Sequence, residues 1–344
     1  MLDRIGAVDR PPGDTQNVRR SFADLVRSLK LPVVVAPMFL VSGPDLVVAA
    51  CRAGVIGSFP APNARTLHDL EAWFHAIKSS CRSNGASWAV NLIVHLSNNR
   101  FDDELRLVQE YQPPLVITAL GSPARLIDEV HDYGGIVLAD VSTVNYARKA
   151  VASGADGLVL VCAGAGGHTG EYSPFAFTHE VRRFWRGPIV LAGAISDARG
   201  IRAAQALGAD LAYMGTRFIA ARESLVSDDY RKMLVASHLD DVVTTKAVTG
   251  IRANFLRASL ERAGFTADLL DTDGNVDFSR ERLTDAKAWK SIWGAGQGVG
   301  CVERISTVSE IVADLAKEYS EVLKAEADRL GAVSDSIVQR NGGD

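Results

Sequence analysis

The stretch ARKAVASGADGLVLV (Ala147–Val161) and its echo IRAAQALGADLAYMG (Ile201–Gly215) decide the fold. Each reads as a helix, then Gly-Ala-Asp, then an apolar strand. CRAGVIGSF (Cys51–Phe59) is a looser copy. Gly154 and Gly208 stand where each helix must end; a left-handed residue is needed there, and glycine supplies it at little cost. A repeated helix-glycine-strand unit suits stacked βα modules better than one sheet with varied connections.

Outward from this pair, eight short apolar runs span the chain: Leu31–Ala36, Val55–Phe59, Ser87–Ile93, Leu115–Ala119, Ile136–Ala139, Gly157–Cys162, Pro188–Ala192 and Asp210–Met214. They are rich in Val, Ile and Leu and lack polar alternation, as expected of strands buried on both faces. Helical patterns separate them at Thr66–Ser80, Ala124–Tyr133, Thr143–Ser153 and Ser196–Leu207. Strand and helix in alternation imply right-handed βαβ units. Eight such strands predict an α/β fold, a (β/α)₈ TIM barrel, with an open doubly wound sheet as the competing arrangement.

The pattern breaks after the eighth strand. The expected organisation is an N-terminal segment at 1–30, a barrel at 31–220 and 301–332, an inserted cap or small domain at 221–300, and a polar, frayed tail at 333–344. The insertion holds a polar segment, Thr266–Arg282, and the glycine-rich run WGAGQGVG at Trp293–Gly300. Ser306–Leu330 reads as a charged amphipathic helix that closes the barrel.

The 344 residues are 47% hydrophobic and 23% charged, enough to bury a large core. A net charge of -4 without a basic stripe argues against nucleic acid. Cys51, Cys81, Cys162 and Cys301 form no CxxC and no Cys/His cluster with metal-ligand spacing, so reduced thiols and no metal are expected. The polar N-terminus lacks an apolar signal region, and no apolar run is long enough to span a bilayer, which predicts a cytoplasmic protein.

In a barrel, function gathers at the C-terminal ends of the strands. There the chain places Ala36-Pro37-Met38, Asn91, Asp140, the loop AGAGGHTG (Ala163–Gly170), Gly193-Ala194, and Met214 followed by Gly215-Thr216-Arg217. Small residues after the seventh and eighth strands let backbone N–H groups approach a phosphate. The loop AGAGGHTGEY is neither a dinucleotide fingerprint, since Thr169 stands where a third glycine is needed, nor a Walker loop. It reads as a flexible loop holding one imidazole, His168, over the barrel mouth. That imidazole is either a base, since histidine titrates near neutral pH, or only a hydrogen-bonding group. Met38 and Asn91 have plain alternatives as a core methionine and a strand-end cap. Asp140 is either a pocket residue or the N-cap of the next helix. His95, after the third strand, could reach the mouth.

These motifs together resemble the nitronate monooxygenase family, formerly 2-nitropropane dioxygenases. The resemblance runs from about Leu31 to Val302. It is carried by VAPM at Val35–Met38, VNL at Val90–Leu92, GADGLVLVCAGAGGHTG at Gly154–Gly170, the segment Pro188–Phe218, and GAGQGVG at Gly294–Gly300. It implies a TIM barrel with a small insertion and non-covalent FMN. Gly193, Ala194, Gly215 and Thr216 would hold the phosphate, and Pro37, Met38, Asn91, Gly166 and Gly167 would line the flavin. Ala36, Asp140 and Met214 fall at the same rim as further cofactor-binding candidates. His168 matches the family's base, and Gln297 and Gly298 would close over the ring. The chain departs from the family at Ala194, where a second glycine is common, and at Val161-Cys162, where Gln-Gly is common.

The implied reaction is oxidation of alkyl nitronates, and of neutral nitroalkanes after proton removal by His168, using O₂ and giving a carbonyl compound and nitrite. The expected partners are a small-molecule substrate and O₂, and the expected state is a monomer or homodimer. Two rivals remain open. One is an FMN-dependent NAD(P)H enoyl-thioester reductase on the same scaffold. The other is a non-catalytic barrel that binds a phosphorylated ligand.

Overall fold

The computed structural model describes residues 22–82, 87–266 and 289–341. The first 21 residues and all but Thr266 of the polar segment Thr266–Arg282 lie outside the described residues. The eight apolar runs form eight parallel strands: β1 (Val33–Val35), β2 (Gly57–Pro60), β3 (Trp88–Ile93), β4 (Leu115–Ala119), β5 (Ile136–Val141), β6 (Gly157–Val161) and, after a two-residue strand β7 (Gly167–His168), β8 (Ile189–Ala192) and β9 (Leu211–Met214). Their order is β1-β9-β8-β6-β5-β4-β3-β2, and the bridge Val34↔Ile56 brings β2 back to β1. The sheet therefore closes on itself as a TIM barrel rather than fanning open.

Alternation along the strands sorts the core. One set of side chains, including Val34, Ile56, Ile117, Leu138, Val159 and Tyr213, fills the lumen. The other set, including Val33, Leu158, Leu191 and Met214, packs against the surrounding helices. Because side chains on a strand alternate between faces, an inward residue at the end of a strand is also a residue facing the mouth.

The Gly-Ala-Asp echo turns out to be a repeated latch. Asp156 N–H donates to the Val137 carbonyl, and Val137 N–H donates to Asp156 Oδ2 at 2.8 Å. Asp210 N–H likewise donates to the Ile189 carbonyl, and Ile189 N–H to Asp210 Oδ2 at 2.8 Å. Each aspartate ties the start of one strand to its neighbour and satisfies an N–H at the end of the ladder. Gly154 and Gly208 both have φ 96°, as the helix ends required.

The chain ends differ from expectation. Residues 22–28 are helical, and Phe22 is buried with the lumen residues, so this piece plugs the barrel's lower end and belongs to the barrel. The last helix, Val308–Asn341, runs straight through Gly331, where the sequence reading stopped it. One glycine costs a helix only about 1 kcal/mol, and no proline follows to break it. The insertion contributes a helix, Asp228–Val235, and two antiparallel strands, β10 (Val242–Thr245) and β11 (Ala253–Leu256). Its Tyr230, Leu234, Leu256 and Trp293 share one apolar cluster with Val41 and Ile219 of the barrel, so the insertion packs as part of the same body. No helix among the described residues is long and apolar enough to cross a membrane.

Asp210→Ala should lower stability by about 1–3 kcal/mol, because it strands the N–H of Ile189, while Asp210→Asn, which keeps a carbonyl acceptor, should cost less. The shift in urea midpoint measures both.

Candidate active site

The loop after β6 is pinned along its length. Ala163 N–H donates to the Tyr172 carbonyl, Thr169 Oγ1 to the Cys162 carbonyl at 3.1 Å, and Thr169 N–H to the Arg252 carbonyl. Gly167 and His168 form β7, which pairs antiparallel with β11 in the register His168↔Ala253 and Gly167↔Asn254. The buried Asn254 amide donates to the Ala165 carbonyl at 2.7 Å and so fixes the glycines from below. The flexible loop expected here is therefore the edge strand of a three-stranded sheet. The exposed imidazole of His168 meets Trp289 edge to face, with ring centroids 5.4 Å apart.

Three further loops converge on the same place. The Gly164 carbonyl accepts the N–H of Ala194, after β8, at 3.3 Å and the N–H of Gln297 at 2.9 Å. Thr216, after β9, accepts the N–H of Gly296 on Oγ1 at 2.9 Å and keeps its own hydroxyl proton to donate. A Cβ on Gly296 would lie 2.6 Å from the Gly164 oxygen and 2.9 Å from the Gly166 nitrogen, so only glycine allows this approach. Gly298 abuts Ser196 in the same way. Gln297 and Gly298 therefore sit against the loops after β6 and β8, at the same end of the barrel as the two small-residue turns. Ala194 holds φ 57°, a conformation that favours glycine. Its N–H is engaged with Gly164; Ala194 is exposed, Gly215 half-buried, and Gly193 and Thr216 buried.

Next to the loop after β9, Ala36 N–H donates to the Met214 carbonyl at 3.0 Å, which carries Pro37 and Met38 over the rim. The Met38 carbonyl accepts from Asn63 Nδ2 at 2.9 Å, and the Met38 sulfur lies against Gly215. Asn91 faces inward, is 6% exposed, and its side chain makes no hydrogen bond among the described residues. Gly166 is exposed and Gly167 half-buried at the rim. Met214, expected at the cofactor, turns its side chain away into the strand–helix layer, because it follows inward-facing Tyr213 by one residue. His95 is exposed on its loop, where its Nδ1 pairs with Ser97.

Asp140 lies inside β5, one residue before the strand ends, and does not cap the following helix, whose N-cap is Thr143. Its Oδ1 is buried without a hydrogen-bond partner. Burial pushes its carboxyl up to about 7. The hydroxyl of Tyr213 is buried without a partner as well, and burial, then the nearby Asp140, hold its pKa well above the ordinary range. The sequence reading passed over Tyr213; the available signal was a polar atom at an inward position of an apolar strand. A separate cleft of about 680 Å³ lies on the outer wall, lined by charged residues of which Arg202 and Glu326 pair.

The profile of the family described as nitronate monooxygenase matches residues 61–318 of the chain. The chain belongs to the nitronate monooxygenase family. Among its relatives, the nitronate monooxygenase of Paraburkholderia phytofirmans is 29% identical over 275 residues, which covers 68% of this chain and 75% of that protein. The (3aS,4S,5R,7aS)-5-hydroxy-7a-methyl-1-oxo-octahydro-1H-indene-4-carboxyl-CoA dehydrogenase of Rhodococcus jostii is also 29% identical, over 80% of this chain and 75% of that protein. The structure of FabK from Thermotoga maritima superposes with a TM-score of 0.73 at 28% identity, covering 89% of this chain and 98% of that one. Membership makes the chain an oxidoreductase on a TIM barrel.

Asp140→Asn should stabilise the ligand-free protein more at pH 8 than at pH 5. Between the ordinary value of 3.8 and about 7, the unfolded chain has released a proton that the folded chain still holds, so stability falls as pH rises through that window. The full effect is on the order of 4 kcal/mol above pH 7. Equal gains in denaturation free energy at both pH values would contradict the buried, protonated carboxyl.

Proposed function

We propose that the chain binds FMN at the barrel rim and oxidises alkyl nitronates with O₂ to carbonyl compounds and nitrite, with His168 as the base for neutral nitroalkanes. The observation that carries this reading is the pairing of β7 with β11, which fixes an exposed imidazole beside the convergent β6, β8 and β9 loops. The residues present fit a flat phosphorylated cofactor. Gly193, Gly215 and Thr216 give a phosphate backbone N–H groups and a hydroxyl. Pro37, Met38, Asn91, Gly166 and Gly167 supply a largely apolar seat, and Asn91 and Asp140 face it with polar atoms that have no protein partner. FMN, when bound, supplies the electron-accepting chemistry and its link to O₂.

The protein's own part is to hold and to deprotonate. A ring nitrogen of His168 takes the α-proton of a neutral nitroalkane, while the edge contact with Trp289 restricts the ring's tilt. General-base help of this kind is typically worth about 10²–10⁴-fold. The segment 221–300 acts as a cap whose essential contribution is β11, the strand that β7 needs.

A second reading has its own support. The carboxyl-CoA dehydrogenase is as similar to the chain as the nitronate monooxygenase is, which favours a CoA thioester as substrate on the same scaffold, and NAD(P)H is the redox partner of the reductase that the sequence leaves open. Anaerobic mixing separates the two. Rapid bleaching of the yellow protein by an alkyl nitronate, with slow bleaching by NADH and NADPH, is expected; the reverse order would favour the thioester reading.

His168→Asn should leave FMN affinity unchanged and lower kcat/KM for neutral nitroalkanes by about 10²-fold or more, with a far smaller effect on preformed nitronates. An equal loss on both substrates would reject the base role.

A further inference from the structure

We infer that Asp140 and Tyr213 form the floor of the site as a pair of neutral hydrogen-bonding groups, Asp140 presenting a carboxylic O–H rather than a carboxylate to bound flavin. This rests on the FMN reading above. The geometry is that of the barrel lumen. Tyr213 stands between Val34 of β1 and Ala192 of β8, and Asp140 stands beside Val159 of β6. Both point inward, both occupy the upper end of their strands, and each has a buried oxygen without a partner. The two oxygens make no hydrogen bond with each other, so both remain available to a guest between them. Just below the mouth, the fully buried Ser58 is already bonded to the Val35 carbonyl at 2.5 Å.

The surroundings keep the carboxyl neutral. The strands flanking β5 present Ile117 and Ala119 from β4 and Val159 and Val161 from β6, and Leu138 lies beneath. None of these can neutralise a carboxylate. Across the lumen the inward residues are Val34 of β1 and Ala36 just after it, Ile56 just before β2 and Ser58 within it, Ala89 and Asn91 of β3, and Val190 and Ala192 of β8. Tyr213 on β9 is the single other titratable group facing in from the described strands, and His168 lies above on β7. Arg125, on the loop after β4, is held by the carbonyls of Val94 and His95. With no cation among these groups to pair with, the carboxylate of half-buried Asp140 is disfavoured, and the ligand-free protein holds this proton up to about pH 7. A neutral acid donates a hydrogen bond where a carboxylate could only accept one. The carbonyl and ring-nitrogen acceptors of a flavin's pyrimidine edge suit such a donor, and the Tyr213 hydroxyl can serve the same edge or the chain that leads to the phosphate at Gly215.

The inference is tested by FMN binding to the whole protein, followed by quenching of flavin fluorescence between pH 6.5 and pH 9. A ligand that prefers the protonated acid binds with a Kd that is flat below about pH 7 and weakens about tenfold per pH unit above it. Asp140→Asn should bind FMN with a flat Kd above pH 7; the phosphate's own ionisation near pH 6 is common to both proteins. Tyr213→Phe should bind more weakly at every pH and keep the wild-type slope. The same slope in wild type and Asp140→Asn overturns the inference and leaves the FMN reading standing. An unchanged Kd in Tyr213→Phe removes Tyr213 from the pair. No FMN binding by the wild type at any pH overturns both. Should Asp140→Asn fail to fold, the wild type alone decides. Mixing with FMN at pH 8 in weak buffer should take up roughly one proton per flavin, and no uptake overturns the inference.

Discussion

A short backbone ladder holds the site together: Gly167 and His168 against Ala253 and Asn254. Without it the loop after β6 would be a run of glycines with many conformations, and an imidazole at its tip would have no defined position. With it, the ring has a fixed base and an edge contact with Trp289. The buried Asn254 joins the two halves by bonding the Ala165 carbonyl and the hydroxyl of Thr244. The insertion therefore does more than cover the barrel. It supplies β11, the strand that pairs with β7, and its glycine run packs on Gly164 and Gly166.

Close backbone packing explains why this region is so rich in glycine. The loops after β6, β8 and β9 and the run Gly294–Gly298 meet backbone to backbone, and the Gly164 carbonyl accepts hydrogen bonds from two of them. Ala194 is the exception, a side chain held at φ 57° in a position that suits glycine. Strain of this size persists only where the surroundings over-determine the backbone, as the bond to Gly164 does here. The barrel contributes the opposite property, a rigid apolar tube whose upper end carries Asn91, Asp140 and Tyr213, each with a polar atom that has no partner among the described residues.

The barrel was legible in the sequence because parallel strands buried on both faces read as continuous apolar runs, and the twin Gly-Ala-Asp segments marked the module. The rim residues were legible because they follow those runs directly. Three things were not. β7 is two residues long, too short for any periodicity, and its partner strand lies far along the chain, so Gly167-His168 read as a flexible loop. Met214 and Tyr213 are neighbours in one apolar strand, and which of them faces the lumen depends on a register the sequence does not fix. The last helix passes through Gly331, a residue that more often ends a helix, because a single glycine costs only about 1 kcal/mol and no proline follows it.

The central claim is that the turns after β8 and β9 hold a flavin phosphate while the ring lies across the mouth within reach of His168. A crystal structure of the protein grown with FMN tests it most directly. The expected result is phosphate density within hydrogen-bonding distance of the Gly193, Gly215 and Thr216 backbone and Thr216 Oγ1, with the ring between Asn91 and the His168 imidazole. Phosphate density in the outer-wall cleft near Arg202, or a ring on the far side of β7 from His168, would contradict it.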